Sequence, residues 1–145
     1  MLNISHYKII AIGKIKKKWI QEGIEMYLKR LPGLEVKEIK DSTQSREEHS
    51  IKEIISKNEI LITLNENGQS FTSKQLATKL LNSHNQNITF VIGGASGLPI
   101  SLNNKAAWQL SLSPLTFPHE IARLLLIEQL YRARTISQGG PYHKE

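Results

Sequence analysis

Ile88-Thr89-Phe90-Val91-Ile92-Gly93-Gly94-Ala95-Ser96-Gly97 is the stretch that decides how this chain folds. Five apolar or β-branched residues in a row have the length and composition of a strand buried on both faces, and they run without a spacer into glycines. A strand buried on both faces needs a layer above and a layer below, which points to a mostly parallel sheet flanked by helices. The neighbouring segments agree. Residues 8–12, ended by Gly13, and residues 60–64, followed by the turn Asn65-Glu66-Asn67-Gly68, read as strands, as do Leu34, Val36 and Ile39, and residues 109–112.

Helical spacing fills the gaps between these strands. Residues 19–31 place Ile20, Ile24, Tyr27, Leu28 and Leu31 on one face before Pro32-Gly33 stops them. A polar loop over 40–44 leads to a helix with Ile51, Ile54 and Ile55, and another starts near Ser73 with Leu76, Leu80 and Leu81. A short helix is expected around 103–107, and a last one over 118–136 with Pro118 in its first turn. In that last helix Ile121, Ala122, Leu124, Leu125, Leu126, Ile127 and Leu130 cover most of the circumference. Burial on more than one side follows, and in so small a chain a partner subunit is the simplest cover.

With 145 residues and 39% hydrophobic content, one domain over 1–145 with its own core is expected. No cysteine is present, which excludes disulfides, thiolate metal sites and thiol catalysis. His6, His49, His84, His119 and His143 lack metal-binding spacing. The apolar run Leu124-Leu125-Leu126-Ile127, which no other exceeds, is far short of the roughly 20 residues that span a bilayer. Residues 1–13 carry no charged leader with a long apolar stretch behind it, so a cytoplasmic protein without a membrane is expected.

Lys plus Arg outnumber Asp plus Glu by 19 to 13, a net charge of +6, and the excess is uneven. No acid precedes Glu22, while Lys8, Lys14, Lys16, Lys17 and Lys18 all do. Such a run attracts a polyanion through counterion release, and Lys14, Lys16, Lys17 and Lys18 are the candidate RNA contacts. A solvated basic loop is the simpler alternative.

Ligands of parallel sheets bind beyond the carboxyl ends of the strands, and three such ends carry distinctive loops. These are Leu64-Asn65, Gly93-Gly94, and Leu112-Ser113-Pro114-Leu115-Thr116-Phe117. Glycine lets backbone approach a ligand closely, and a segment mixing apolar and hydroxyl side chains suits a flat heterocycle with a polar edge. The Gly-x-Gly-x-x-Gly spacing of a dinucleotide site and the Gly-Lys-Ser/Thr of a phosphate loop are both absent. His119 falls at the start of the last helix, beside these loops. The tail Pro141-Tyr142-His143-Lys144 joins stacking, hydrogen-bonding and phosphate-binding groups, where a chain end ordinarily frays.

Together these motifs resemble the SPOUT-class RNA methyltransferases, and within them the ribosomal RNA large-subunit methyltransferase H group. The likeness runs the length of the chain. It rests on Ala11-Ile12-Gly13-Lys14, Tyr27-Leu28-Lys29-Arg30-Leu31, Val91-Ile92-Gly93-Gly94 with Gly97-Leu98, and Leu110-Ser111-Leu112-Ser113. Its most specific part is Leu115-Thr116-Phe117-Pro118-His119, continued by Glu128-Gln129-Leu130-Tyr131-Arg132-Ala133 and the tail. The resemblance implies an α/β fold with a C-terminal trefoil knot, a homodimer with sites near the subunit interface, and S-adenosylmethionine as methyl donor. Leu64, Gly93, Leu112, Ser113, Pro114, Leu115, Thr116 and Phe117 would surround the donor. The implied substrate is N3 of a pseudouridine in 23S ribosomal RNA on the assembled ribosome. Tyr142 and His143 would accept the N3 proton or stabilise the anion, with Arg132 and Lys144 holding phosphate or developing charge. Pro114 departs from the family pattern by removing a backbone donor. A ribosome- or RNA-binding protein without enzymatic activity is the alternative that the charge and tail also fit.

Overall fold

The computed structural model describes residues 1–83 and 85–144; His84 lies outside the described residues. Among the described residues, β1 (Tyr7–Ile12), β2 (Glu35–Ile39), β3 (Ile60–Ser70), β4 (Ile88–Ile92) and β5 (Trp108–Ser111) form one sheet in the order β2-β1-β4-β3-β5. Every pairing is parallel. The helices are α1 (Lys18–Lys29), α2 (Gln44–Ile54), α3 (Ser73–Leu81), α4 (Ile100–Lys105) and α5 (His119–Ser137).

The two-residue period of a strand sends alternate side chains to opposite layers. Along β1, Ile9 and Ala11 pack with Ile20 and Ile24 of α1, Leu76 and Leu80 of α3, and Leu126 and Leu130 of α5. Ile10 and Ile12 point the other way, toward Ile51 of α2 and Leu102 of α4. Phe90 of β4 belongs to the first layer and Val91 to the second, both fully buried, as the apolar run at 88–92 requires. Each such side chain contributes about 1.5–3 kcal/mol through burial. Thr72 and Gln75 form a reciprocal capping box at the start of α3, satisfying amide donors that the helix leaves unpaired.

Several boundaries differ from the sequence expectation. The turn at Asn65-Glu66-Asn67-Gly68 does not end β3: Leu64 and Gln69 both lie opposite Leu110, so four residues bulge out and the strand resumes to Ser70. Asn65 closes the bulge, its Oδ1 accepting from the Asn67 amide at 3.0 Å and its Nδ2 donating to Gln109 at 2.8 Å. A Cβ on Gly68 would lie 2.6 Å from the Gln109 carbonyl oxygen, so the return to pairing needs glycine. Helix α4 starts directly after Pro99, three residues earlier than expected, and β5 moves up one residue with it. Pro118 caps α5 from outside, its carbonyl accepting from the Ala122 amide, rather than forming the first helical residue.

From β5 at the sheet edge the chain returns to its centre. Thr116 donates to the Glu66 carboxylate of the β3 bulge at 2.6 Å. Arg123, 3% exposed, donates to the carbonyls of Ile12 and Gly13 at the end of β1 and to Glu38 at 2.6 Å. Helix α5 thus packs on α1 and α3, with Leu126, Ile127, Leu130 and Ala133 buried. Ile121, Leu124 and Leu125 stay half-buried.

Candidate active site

The return path makes one wall of a cavity of ≈ 450 Å³ at the carboxyl end of β4 and the bulge of β3. Leu64 and the bulge residues Asn65 and Glu66 form a second wall, and the Gly93–Leu98 loop a third. Of the residues expected around a donor, Leu64, Gly93, Leu112, Ser113, Leu115, Thr116 and Phe117 line this space. Pro114 sits in the same wall, exposed, and is not among the lining residues. His119 and Ala122 close the space from the start of α5.

The glycine loop is shaped by close approach. A Cβ on Gly93 would stand 2.7 Å from the Gly97 carbonyl carbon and 2.9 Å from its oxygen. Gly97 itself is left-handed, at φ +74°, a conformation that side chains disfavour. Two features of the cavity went unseen in the sequence. Asn103 reaches it from α4, and its Oδ1 is buried without a hydrogen-bond partner. Glu66 supplies a carboxylate, and among the described residues no lysine or arginine lines the space. A glycine loop folded too tightly for a Cβ at Gly93, an unpaired acceptor and apolar walls from Leu64, Leu112 and Phe117 fit a nucleoside carrying a cationic sulfonium.

The basic loop stands beside this end of the sheet. Lys14, Lys16, Lys17 and Lys18 are exposed, and the loop's backbone is fixed: the buried Glu120 carboxylate accepts from the amides of Lys16 at 2.9 Å and Lys17 at 3.1 Å. Lys8 is not part of this surface, because it pairs with Glu59 at 3.1 Å. The Lys17 amide, then that of Lys16, hold the Glu120 carboxyl below the usual carboxylate range. A depressed folded value means that this carboxylate stabilises the fold above the ordinary carboxyl pKa and that the contribution disappears as pH falls through the lower folded value. Glu120→Gln is therefore expected to flatten the acid limb of stability as pH falls below the ordinary carboxyl pKa. Calorimetric melts across that range check it, and a limb as steep as wild type would contradict it.

The tail docks elsewhere. The Tyr142 ring meets Tyr131 edge-on at 4.7 Å, its hydroxyl lies 3.1 Å from that of Tyr27, and the Arg132 guanidinium stands 4.8 Å from the ring centre. His143 Nδ1 is 3.1 Å from Arg132 Nη1, and Lys144 is exposed. Burial, then the Tyr27 hydroxyl and the Glu128 charge, push the Tyr142 phenol well above its ordinary value. It stays protonated, which suits donation and not proton acceptance. At 1.5 Å rise per residue, Arg132 is roughly 20 Å along α5 from His119. The structure therefore gathers the predicted residues into two groups, and within one chain it does not bring them together.

A model of predicted SPOUT methyltransferases matches residues 5–143. The chain belongs to the SPOUT methyltransferase family. Among its relatives, ribosomal RNA large subunit methyltransferase H of Prochlorococcus marinus strain NATL1A is 92% identical over 145 residues, the full length of both chains. The protein of the same name from strain MIT 9211 is 55% identical over 144 residues, 99% of each chain. The SPOUT fold also shows in solved structures: a probable methylase family protein from Haemophilus influenzae aligns with TM-score 0.62 at 14% identity, over 99% of this chain and 72% of that one. The SpoU methyltransferase AviRb from Streptomyces viridochromogenes, in complex with AdoMet, aligns with TM-score 0.51 at 10% identity, over 92% and 58%. Among the described residues of this SPOUT chain, no group of three or more His, Cys, Asp or Glu is placed to hold a metal ion, and no helix is long and apolar enough to cross a membrane.

Proposed function

We propose that this chain is an S-adenosylmethionine-dependent methyltransferase of 23S ribosomal RNA, acting on N3 of a pseudouridine in the assembled large subunit, as a cytoplasmic homodimer of one knotted domain. The observation that carries the reading is the strand-end cavity, with a glycine floor and a carboxylate as its charged wall, in a chain 92% identical to a named ribosomal RNA methyltransferase. A trefoil knot accounts for the return path from the edge strand β5 to the centre of the sheet past the β3 bulge.

When bound, S-adenosylmethionine supplies a methyl group already activated by its sulfonium leaving group. The protein's task is alignment and exclusion of water. Gly93 lets the loop fold tightly against Gly97 and form one wall of the donor's space, Leu64, Leu112, Leu115 and Phe117 give it apolar walls, and Ser113 and Thr116 offer hydroxyls at its edge. Pro114 shapes that wall without entering the cavity. Lys14, Lys16, Lys17 and Lys18 hold RNA phosphate beside the cavity mouth. N3 lies between two carbonyls, so its proton must leave and the resulting charge must be stabilised. Tyr142, His143, Arg132 and Lys144 serve that end. Because they sit far from their own chain's cavity, they act on the cavity of a second copy across a two-fold axis, where the half-buried Ile121, Leu124 and Leu125 of α5 become covered.

The test combines protein, isotopically labelled donor, and ribosomes or 23S RNA from cells lacking the modification, with nucleoside mass spectrometry as readout. N3-methylpseudouridine is expected, with ribosomes the better substrate. Donor binding without methylated pseudouridine would overturn the substrate. Failure to bind the donor would favour a non-enzymatic RNA-binding protein, which the exposed lysine run also fits.

A further inference from the structure

The Glu128 carboxylate has no part in the reading above, yet the tail converges on it. Its Oε1 accepts from Arg132 Nε at 3.0 Å, Arg132 Nη2 at 2.6 Å and the Tyr142 hydroxyl at 3.1 Å, while Oε2 accepts from Gln129 at 2.8 Å. The side chain is 13% exposed, so solvent screens these contacts weakly. With the Tyr142 proton directed at Glu128, the Tyr27 hydroxyl at 3.1 Å donates to the Tyr142 oxygen. Arg132, gripped through two of its nitrogens, turns the third, Nη1, toward His143 Nδ1 at 3.1 Å. A guanidinium has no acceptor and keeps its protons, so Arg132 is the donor and Nδ1 the bare nitrogen. A neutral imidazole arranged this way carries its proton on Nε2.

We propose that Glu128 is a positioning residue: acting through Arg132 it holds His143 as the Nε2–H tautomer, and acting directly it anchors Tyr142 by accepting its only proton, so that the tail presents the His143 Nε2–H to the target base. The proposal rests on the reading that the tail serves the methyl acceptor. Its chemical consequence is selectivity for an imide. A base that has released its ring proton to solvent spreads negative charge onto two carbonyl oxygens, and a preset Nε2–H donor stabilises that anion. The Tyr142 phenol, raised above its ordinary value, keeps the proton that ties it to Glu128. An exocyclic amine, which develops positive charge on methylation, gains nothing from the Nε2–H donor.

Glu128→Gln keeps the shape and removes the charge; Glu128→Asp keeps the charge on a shorter stem. In the full-length protein, the 15N pattern of the His143 ring, assigned with His143→Asn, reports the tautomer independently of catalysis. Wild type is expected as the Nε2–H form. Glu128→Gln is expected as a tautomer mixture, with kcat lowered about tenfold or more and donor Kd and KM within about twofold. Glu128→Asp is expected to recover part of both. An unchanged His143 pattern in Glu128→Gln, or a loss confined to melting temperature, would overturn the proposal. A changed tautomer with undiminished turnover would leave Glu128 as holder of the tail and overturn instead the tail's part in the reaction.

Discussion

Gly93→Ala is expected to lower donor affinity by on the order of 100-fold or more, about 3 kcal/mol. The added Cβ would fall 2.7 Å from the Gly97 carbonyl carbon, closer than real contacts allow, and the obstacle is backbone that cannot rotate aside. One of the two strands of the loop must shift. Gly97 is held in place by its amide, which donates to the Gly94 carbonyl at 3.0 Å, and by its left-handed φ. The strain therefore opens the loop that forms one wall of the cavity. Overpacking of this kind costs about 1–3 kcal/mol of fold stability, a modest part of the total. Gly94→Ala is the control: its Cβ would meet Ile12 at 3.4 Å, an ordinary contact. Calorimetric titration with donor and a melting curve for each variant separate the effects. Equal donor affinity in Gly93→Ala and wild type would remove the glycine loop from the donor site.

The residues that made the fold legible are those whose burial does not depend on distant partners. Residues 88–92 are apolar on both faces, and no neighbour is needed to infer that layers cover them. Residues 60–64 were equally plain, but the continuation of β3 was hidden because Asn65-Glu66-Asn67-Gly68 has the composition of a terminating turn. Nothing local shows that Gln109 waits to capture Asn65. The same limit governs the site. Gly93 and the residues from Leu112 to Phe117 follow strands directly, so their place at one end of the sheet follows from parallel topology. Glu120 and Glu128 each read in sequence as a polar residue on a helix. Their roles come from partners 104 and 14 residues away in the chain. Asn103 was within reach of the sequence reading, but α4 was placed too late for it to face the cavity. The crowding of α5 was readable; which of its apolar residues stay half-buried was not.

Replacing the tail pair, Tyr142→Phe with His143→Ala, is expected to lower methyl transfer by on the order of 100- to 1,000-fold while leaving donor affinity within about twofold. The asymmetry follows from geometry, since neither residue lines the donor cavity of its own chain. It also yields a stronger test. In a homodimer whose tails serve each other's cavities, a Gly93→Ala chain retains a working tail and the tail variant retains a working cavity. Each homodimer should be nearly inactive. A mixed dimer, co-expressed with two different affinity tags and purified over both, should regain one complete site, with roughly half the wild-type turnover per dimer by simple two-fold symmetry. A chain that used its own tail would have no complete site in the mixed dimer, and activity would stay at the level of the parents. Recovery therefore tests the roughly 20 Å separation along α5 as a property of the working enzyme. No recovery in a mixed dimer that binds donor at one site per dimer would place the tail's function within its own chain or outside the reaction.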